Sequence, residues 1–181
     1  MEWSLKVSAL AMGALHLAAG VALAAAPGAA VKGLQKFPRS VWPGRALALG
    51  ALVWVALIVG GASLGRFDHL KRLLWPAAGV SYLLIIFFLD ELLAPRALGG
   101  LLLLAAQPIL LAARFHPSPL SRVISAVVYV WVVVGMILVL SPYRFRQGAA
   151  WMAQKPGGSL WAAVLLGIPG LACLLLGAWF F

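Results

Sequence analysis

The stretch LSRVISAVVYVWVVVGMILVLS, residues 120–141, decides the fold. After Arg122 it carries no charged side chain until Arg144. A helix needs about 20 apolar residues to cross the hydrocarbon core of a bilayer, and this run supplies them. Lipid offers backbone amides no other partner, so the run must be a helix. Five more runs of comparable length surround it: 5–26, 46–64 (ALALGALVWVALIVGGASL), 73–89 (LLWPAAGVSYLLIIFFL), 97–113 (ALGGLLLLAAQPILLAA) and 159–181. The pattern predicts an all-α polytopic membrane bundle of six transmembrane helices, residues 1–181 forming one unit.

Composition agrees. The 181 residues are 64% hydrophobic and 10% charged, with a mean hydropathy of +1.04. A soluble domain of this size has too much surface for its volume to hide so much apolar area. Fourteen Lys and Arg against four acids give a net charge of +10. In a soluble chain that excess would suggest nucleic acid. Here the basic residues fall in short loops between apolar runs, so the expected partners are anionic lipid headgroups and not nucleic acid. The lone cysteine, Cys173, forms neither an intrachain disulfide nor a cysteine metal site. The opening segment MEWSLK has no net positive charge, and the first run is long enough to span. It is therefore read as a retained helix and not as a cleaved signal.

Six spans put loops 1–2, 3–4 and 5–6 on one face, and the termini with loops 2–3 and 4–5 on the other. The first face carries Lys32, Lys36, Arg39, Arg45, Arg96, Arg144, Arg146 and Lys155. The second carries Lys6, Arg66, Lys71, Arg72, Arg114 and Arg122. The excess leans toward termini outside. Two of the four acids, Asp90 and Glu91, sit in FFLDELLAPRALGG (87–100). Pro95 disfavours α geometry in its predecessor, so DELLAPR reads as a hairpin tip at the membrane boundary. A solvated turn needs no function. The sharper expectation is an ion-pair cluster in which Asp90 and Glu91 meet Arg96, Arg39, Arg45, Arg144 and Arg146.

Aligning Arg45 with Arg122 places Trp54 on Trp131, each within VWV. RF or KF pairs flank both copies, at 36–37, 66–67, 114–115 and 144–145. Two inverted three-helix repeats, 1–94 and 95–181, would follow, with helices 2 and 5 as partners at the axis. The competing reading is that Arg and Phe belong at every membrane interface.

His16 is the only histidine at mid-membrane depth, and Gln107–Pro108 interrupts the fourth run. Both form a candidate intramembrane polar site. The plainer role of each is to hydrogen-bond a neighbouring helix. Bis-histidine haem ligation would need a second facing histidine, and the chain has none. Pro169, in GIPG, is expected to kink the sixth helix. RFDHLKR (66–72) and RFHPSPLSR (114–122) bring Arg66, His69, Arg72, Arg114, His116 and Arg122 to the other face as candidate headgroup contacts. The surrounding cations make a metal site there electrostatically poor. P-loop, HExxH, GxSxG and CxxC motifs are all lacking, so no cofactor and no metal is expected.

FPRSVWPGR, LGRF, DELLAPRALGGLLLL and LSPYRFR resemble an uncharacterised bacterial family of small multi-pass membrane proteins. The resemblance implies a bacterial inner-membrane location and brings no activity, cofactor or substrate. The expected function is a non-catalytic accessory or scaffold subunit, associating with other membrane subunits or with itself. The alternatives are a small inverted-repeat transporter and a lipid-headgroup enzyme.

Overall fold

The computed structural model describes residues 4–88 and 92–181, and these contain eight α-helices. They are α1 (Leu5–Ala25), α2 (Pro27–Lys36), α3 (Val41–Gly61), α4 (Leu74–Phe88), α5 (Leu93–Arg114), α6 (Ser121–Leu140), α7 (Tyr143–Gln154) and α8 (Gly158–Trp179). Six stretches are long and apolar enough to cross a membrane: α1, α3, α5, α6, α8, and α4 with the 3-10 turns before it, Gly65–Phe88. The protein is a multi-pass, all-α membrane bundle.

The most extensive contact joins α1 to α8, followed by α5 to α6 and α3 to α5; α4 leans chiefly on α3. Small residues explain the closeness. Gly13 and Gly170 face each other where α1 crosses α8, and a Cβ on Gly13 would stand 2.8 Å from the Gly170 carbonyl oxygen. Gly99 and Gly135 do the same for α5 and α6, where a Cβ on Gly99 would lie 2.7 Å from the Gly135 oxygen. Between lipid-embedded helices there is no hydrophobic driving force, so such backbone-to-backbone packing carries the association.

One core cluster draws on four spans at the face that bears the termini: Leu5, Ala9 and Met12 of α1, Ala106, Ile109 and Ala113 of α5, Ile124 and Val128 of α6, and Cys173 of α8. At the opposite face the core is split. Leu23, Val31 and Ala163 join α1, α2 and α8, while Ala48, Leu93 and Ala97 join α3 and α5. The bundle is thus closed at one face and parted at the other, and α2 and α7 pack together over the parted end.

Several boundaries differ from the sequence reading. Pro95 does not end a helix; it lies buried in the first turn of α5, which starts at Leu93. First-turn amides have no intrahelical acceptor, so a missing N–H costs nothing there. The chain enters α5 through Leu92, whose φ of 57° is left-handed. Pro108 and Pro169 sit inside α5 and α8 without ending either helix, because each removes one backbone bond while neighbouring turns keep theirs. Segments read as loops are helical in α2 and α7. Their signal is the spacing of Val31 with Leu34 and of Phe145, Ala149 and Met152, which gives each short helix one apolar side.

The helix pairing is not that of two equivalent halves. Inverted copies would pair α3 with α6, yet both pack on α5 rather than on each other. They would also make α1–α3 packing match α5–α6 packing; the second is extensive and the first is not among the packed pairs of the described residues.

Candidate functional site

His16 is buried between α1, α6 and α8. The Trp131 indole N–H of α6 donates to its Nε2 at 3.1 Å. An indole nitrogen only donates, so Nε2 carries no proton. The proton then sits on Nδ1, which donates to the Met12 carbonyl 2.8 Å away on its own helix. The two rings stack with centroids 5.4 Å apart, and the His16 Cβ lies where a Cβ on Gly170 would approach to 2.9 Å. Both ring nitrogens are therefore used within the protein. The arrangement ties α1 to α6 and leaves no lone pair for a metal or a transported ion.

A double-mutant cycle over His16→Leu and Trp131→Phe should give a coupling of about 1 kcal/mol, in the range of interhelical hydrogen bonds in membranes. Reversible unfolding in mixed micelles measures it. Additive single effects would show that the bond contributes nothing.

Gln107 is placed elsewhere. It is exposed on α5 and lines a lateral groove of about 570 Å³ with Arg114, Ser125 and Tyr129. His16 is not in that lining, so the expected pair does not share this groove.

On the face bearing the termini, the headgroup candidates fall into two groups. Arg66, His69 and Arg72 lie in the 3-10 segment Gly65–Leu73, which packs on α4. There the His69 ring nitrogen Nδ1 meets the Arg66 carbonyl at 3.0 Å, and Lys71 pairs with Asp68 at 2.9 Å. Arg114, His116 and Arg122 flank the turn between α5 and α6. The Ser118 amide donates to His116 Nδ1 at 3.2 Å, and Phe181 packs edge-on against the same ring. The two groups are not packed against one another. No cluster of three His, Cys, Asp or Glu able to hold a metal occurs among the described residues.

The opposite face holds a site that sequence reasoning missed. Phe37, just past α2, and Phe145 of α7 meet with ring centroids 5.3 Å apart. On their outer side, Gln35, Arg39, Tyr143, Arg146 and Gln147 line a polar groove of about 480 Å³. A second groove of about 450 Å³, lined by Lys32, Gln35, Lys36, Arg39 and Ser40, adjoins it. The same two phenylalanines line an apolar chamber of about 820 Å³ that is open at its side, where Ala19, Ala22, Gly33 and Leu165 of its lining are exposed. Its other walls come from α2 and α7 and from α1, α3, α5 and α8, the spans that part at this end.

The expected ion-pair cluster is thereby distributed. Arg39 and Arg146 share the polar groove, and Arg144 lies over the Tyr143 ring at 5.5 Å. Arg45 belongs to α3, where its carbonyl accepts the Tyr82 hydroxyl at 3.4 Å, and Arg96 lines a groove between α3 and α5. Asp90 and Glu91 lie outside the described residues. Against known proteins, no family model, curated protein or solved structure matches this chain.

Proposed function

We propose that the protein is a non-catalytic accessory or scaffold subunit of a membrane complex, the membrane being a bacterial inner membrane. The observation that carries this reading is the span Gly65–Phe88, which buries none of its residues within the chain. Val80, Leu83, Leu84, Phe87 and Phe88 are all exposed, and the helix packs chiefly on α3, with Tyr82 and Ile85 touching the Ala48–Leu93–Ala97 cluster. A helix so weakly held by its own chain suits an intersubunit contact. The interior supports the same reading. His16 spends Nε2 joining α1 to α6 and Nδ1 on its own helix, and Ser8 and Ser125 return their hydroxyls to carbonyls one turn back. The bacterial location rests on the resemblance carried by FPRSVWPGR and LSPYRFR. The transporter alternative rests on the sequence pattern alone, since Gln107 faces outward.

Photo-crosslinking residues at positions 80, 84 and 87, tested in native membranes, should yield discrete protein adducts. The same probe at position 168, on the exposed side of α8, serves as comparison. Adducts with lipid alone from all three α4 positions would overturn the reading.

A further inference from the structure

We propose that the α2–α7 roof is a binding site for one anionic phospholipid, with the headgroup phosphate in the Arg39–Arg146 groove and an acyl chain in the chamber beneath. The geometry demands an amphiphile. The polar groove and the apolar chamber are built from the same two segments, which meet at the Phe37–Phe145 pair. Phe37 lines the chamber two residues before Arg39 lines the groove, and Phe145 lines it one residue before Arg146. A ligand filling both must be polar at one end and hydrocarbon at the other, and the chamber has the volume of a typical ligand pocket.

Charge selects the headgroup. Residues 27–40 carry Lys32, Lys36 and Arg39, residues 142–155 carry Arg144, Arg146 and Lys155, and neither segment contains an acid. A phosphate finds planar guanidinium donors from Arg39 and Arg146, with amide donors from Gln35 and Gln147 beside them. A choline or ethanolamine group would find no carboxylate in either segment. The two segments therefore favour a lipid without a cationic headgroup, as in phosphatidylglycerol.

The fold also explains why the chamber exists. α1–α8 and α3–α5–α6 meet at one face and separate at the other. Small residues such as Ala19, Ala22, Gly33 and Ala162 line the gap without filling it.

The test uses the delipidated 181-residue chain in neutral detergent, titrated with phosphatidylglycerol or phosphatidylcholine and read by native mass spectrometry. One phosphatidylglycerol should bind in preference to phosphatidylcholine. The double variant Arg39→Gln/Arg146→Gln should weaken binding about thirtyfold, following the usual contribution of two basic residues facing anionic lipid. Ala19→Phe/Ala162→Phe, which fills the chamber, should weaken it with the arginines intact. Lys6→Gln, exposed on the other face and outside both groups of headgroup candidates, should leave it unchanged. Thermal unfolding of each delipidated variant separates loss of the site from loss of the fold, and the exposed Arg39 and Arg146 should be replaceable without a shift. Equal retention of phosphatidylcholine, indifference to Arg39→Gln/Arg146→Gln, or full competition by inorganic phosphate would each overturn the proposal; the last would mark a soluble-anion site.

Discussion

Gly13→Leu should cost about 3 kcal/mol of stability, and even Gly13→Ala should destabilise the protein. Helix propensity argues the other way, since alanine in place of glycine inside a helix gains about 1 kcal/mol. The contact geometry decides the sign. A Cβ at position 13 would stand 2.6 Å from Leu174 Cγ, 2.7 Å from Leu174 N and 2.8 Å from Gly170 O. Two of these atoms are backbone and cannot rotate aside, so α1 must move off α8. Overpacking of a tight core costs about 1–3 kcal/mol, and a branched side chain driven into backbone belongs at the upper end. Because α1–α8 is the most extensive contact and α1 also feeds the shared core, the whole bundle loosens. Gly50→Ala is the control. Nothing lies within 4 Å of the Cβ it would add, so it should be neutral or mildly stabilising. Reversible unfolding in mixed micelles compares the three. A Gly13→Ala variant as stable as Gly50→Ala would show that α1 and α8 do not approach this closely.

The second large effect lies across the bundle. Gly99→Ala and Gly135→Ala should each cost about 2 kcal/mol, and the double variant less than the sum. A Cβ on Gly99 would meet the Gly135 oxygen at 2.7 Å and Leu138 Cβ at 2.9 Å, and a Cβ on Gly135 would meet the Gly99 oxygen at 2.9 Å. The two clashes share one crossing. Once the first methyl has pushed α5 and α6 apart, the second enters space already opened. Strictly additive costs in the same unfolding assay would mean that the two glycines act independently and do not face each other.

How far the chain reveals itself differs sharply between span and site. Residues 120–141 announce a helix because the run is long, apolar and bounded by arginines. The core residues Ile124 and Val128 within it are not announced, because lipid-facing and core-facing positions carry the same aliphatic side chains. Both are fully buried, while Val130 and Val133 in the same helix are exposed. Pro95 and Pro108 misled for a related reason. A proline signals a missing N–H, but whether that ends, starts or merely marks a helix depends on which turn it occupies. The short helices α2 and α7 hid because their apolar sides are only a few residues wide and their basic residues read equally well as loop. His16 was legible as an unusual group at depth. Its partner was not, since Trp131 lies 115 positions away and nothing local links them.

The sequence by itself determined that this is a membrane protein of six apolar spans, that its loops are basic, and that it carries no recognisable catalytic motif. Those properties follow from composition and run length, which the bilayer reads residue by residue through the cost of exposing amides and charges. Only the tertiary structure decided which spans touch. It made α5 the centre on which α3 and α6 both lean, joined His16 to Trp131, set Gln107 outward, and placed Arg39 and Arg146 in one groove. The physical reason is that helix association in lipid turns on backbone approach at a few glycines and on single polar contacts. Those depend on rotation and crossing geometry, which one-dimensional hydropathy does not encode.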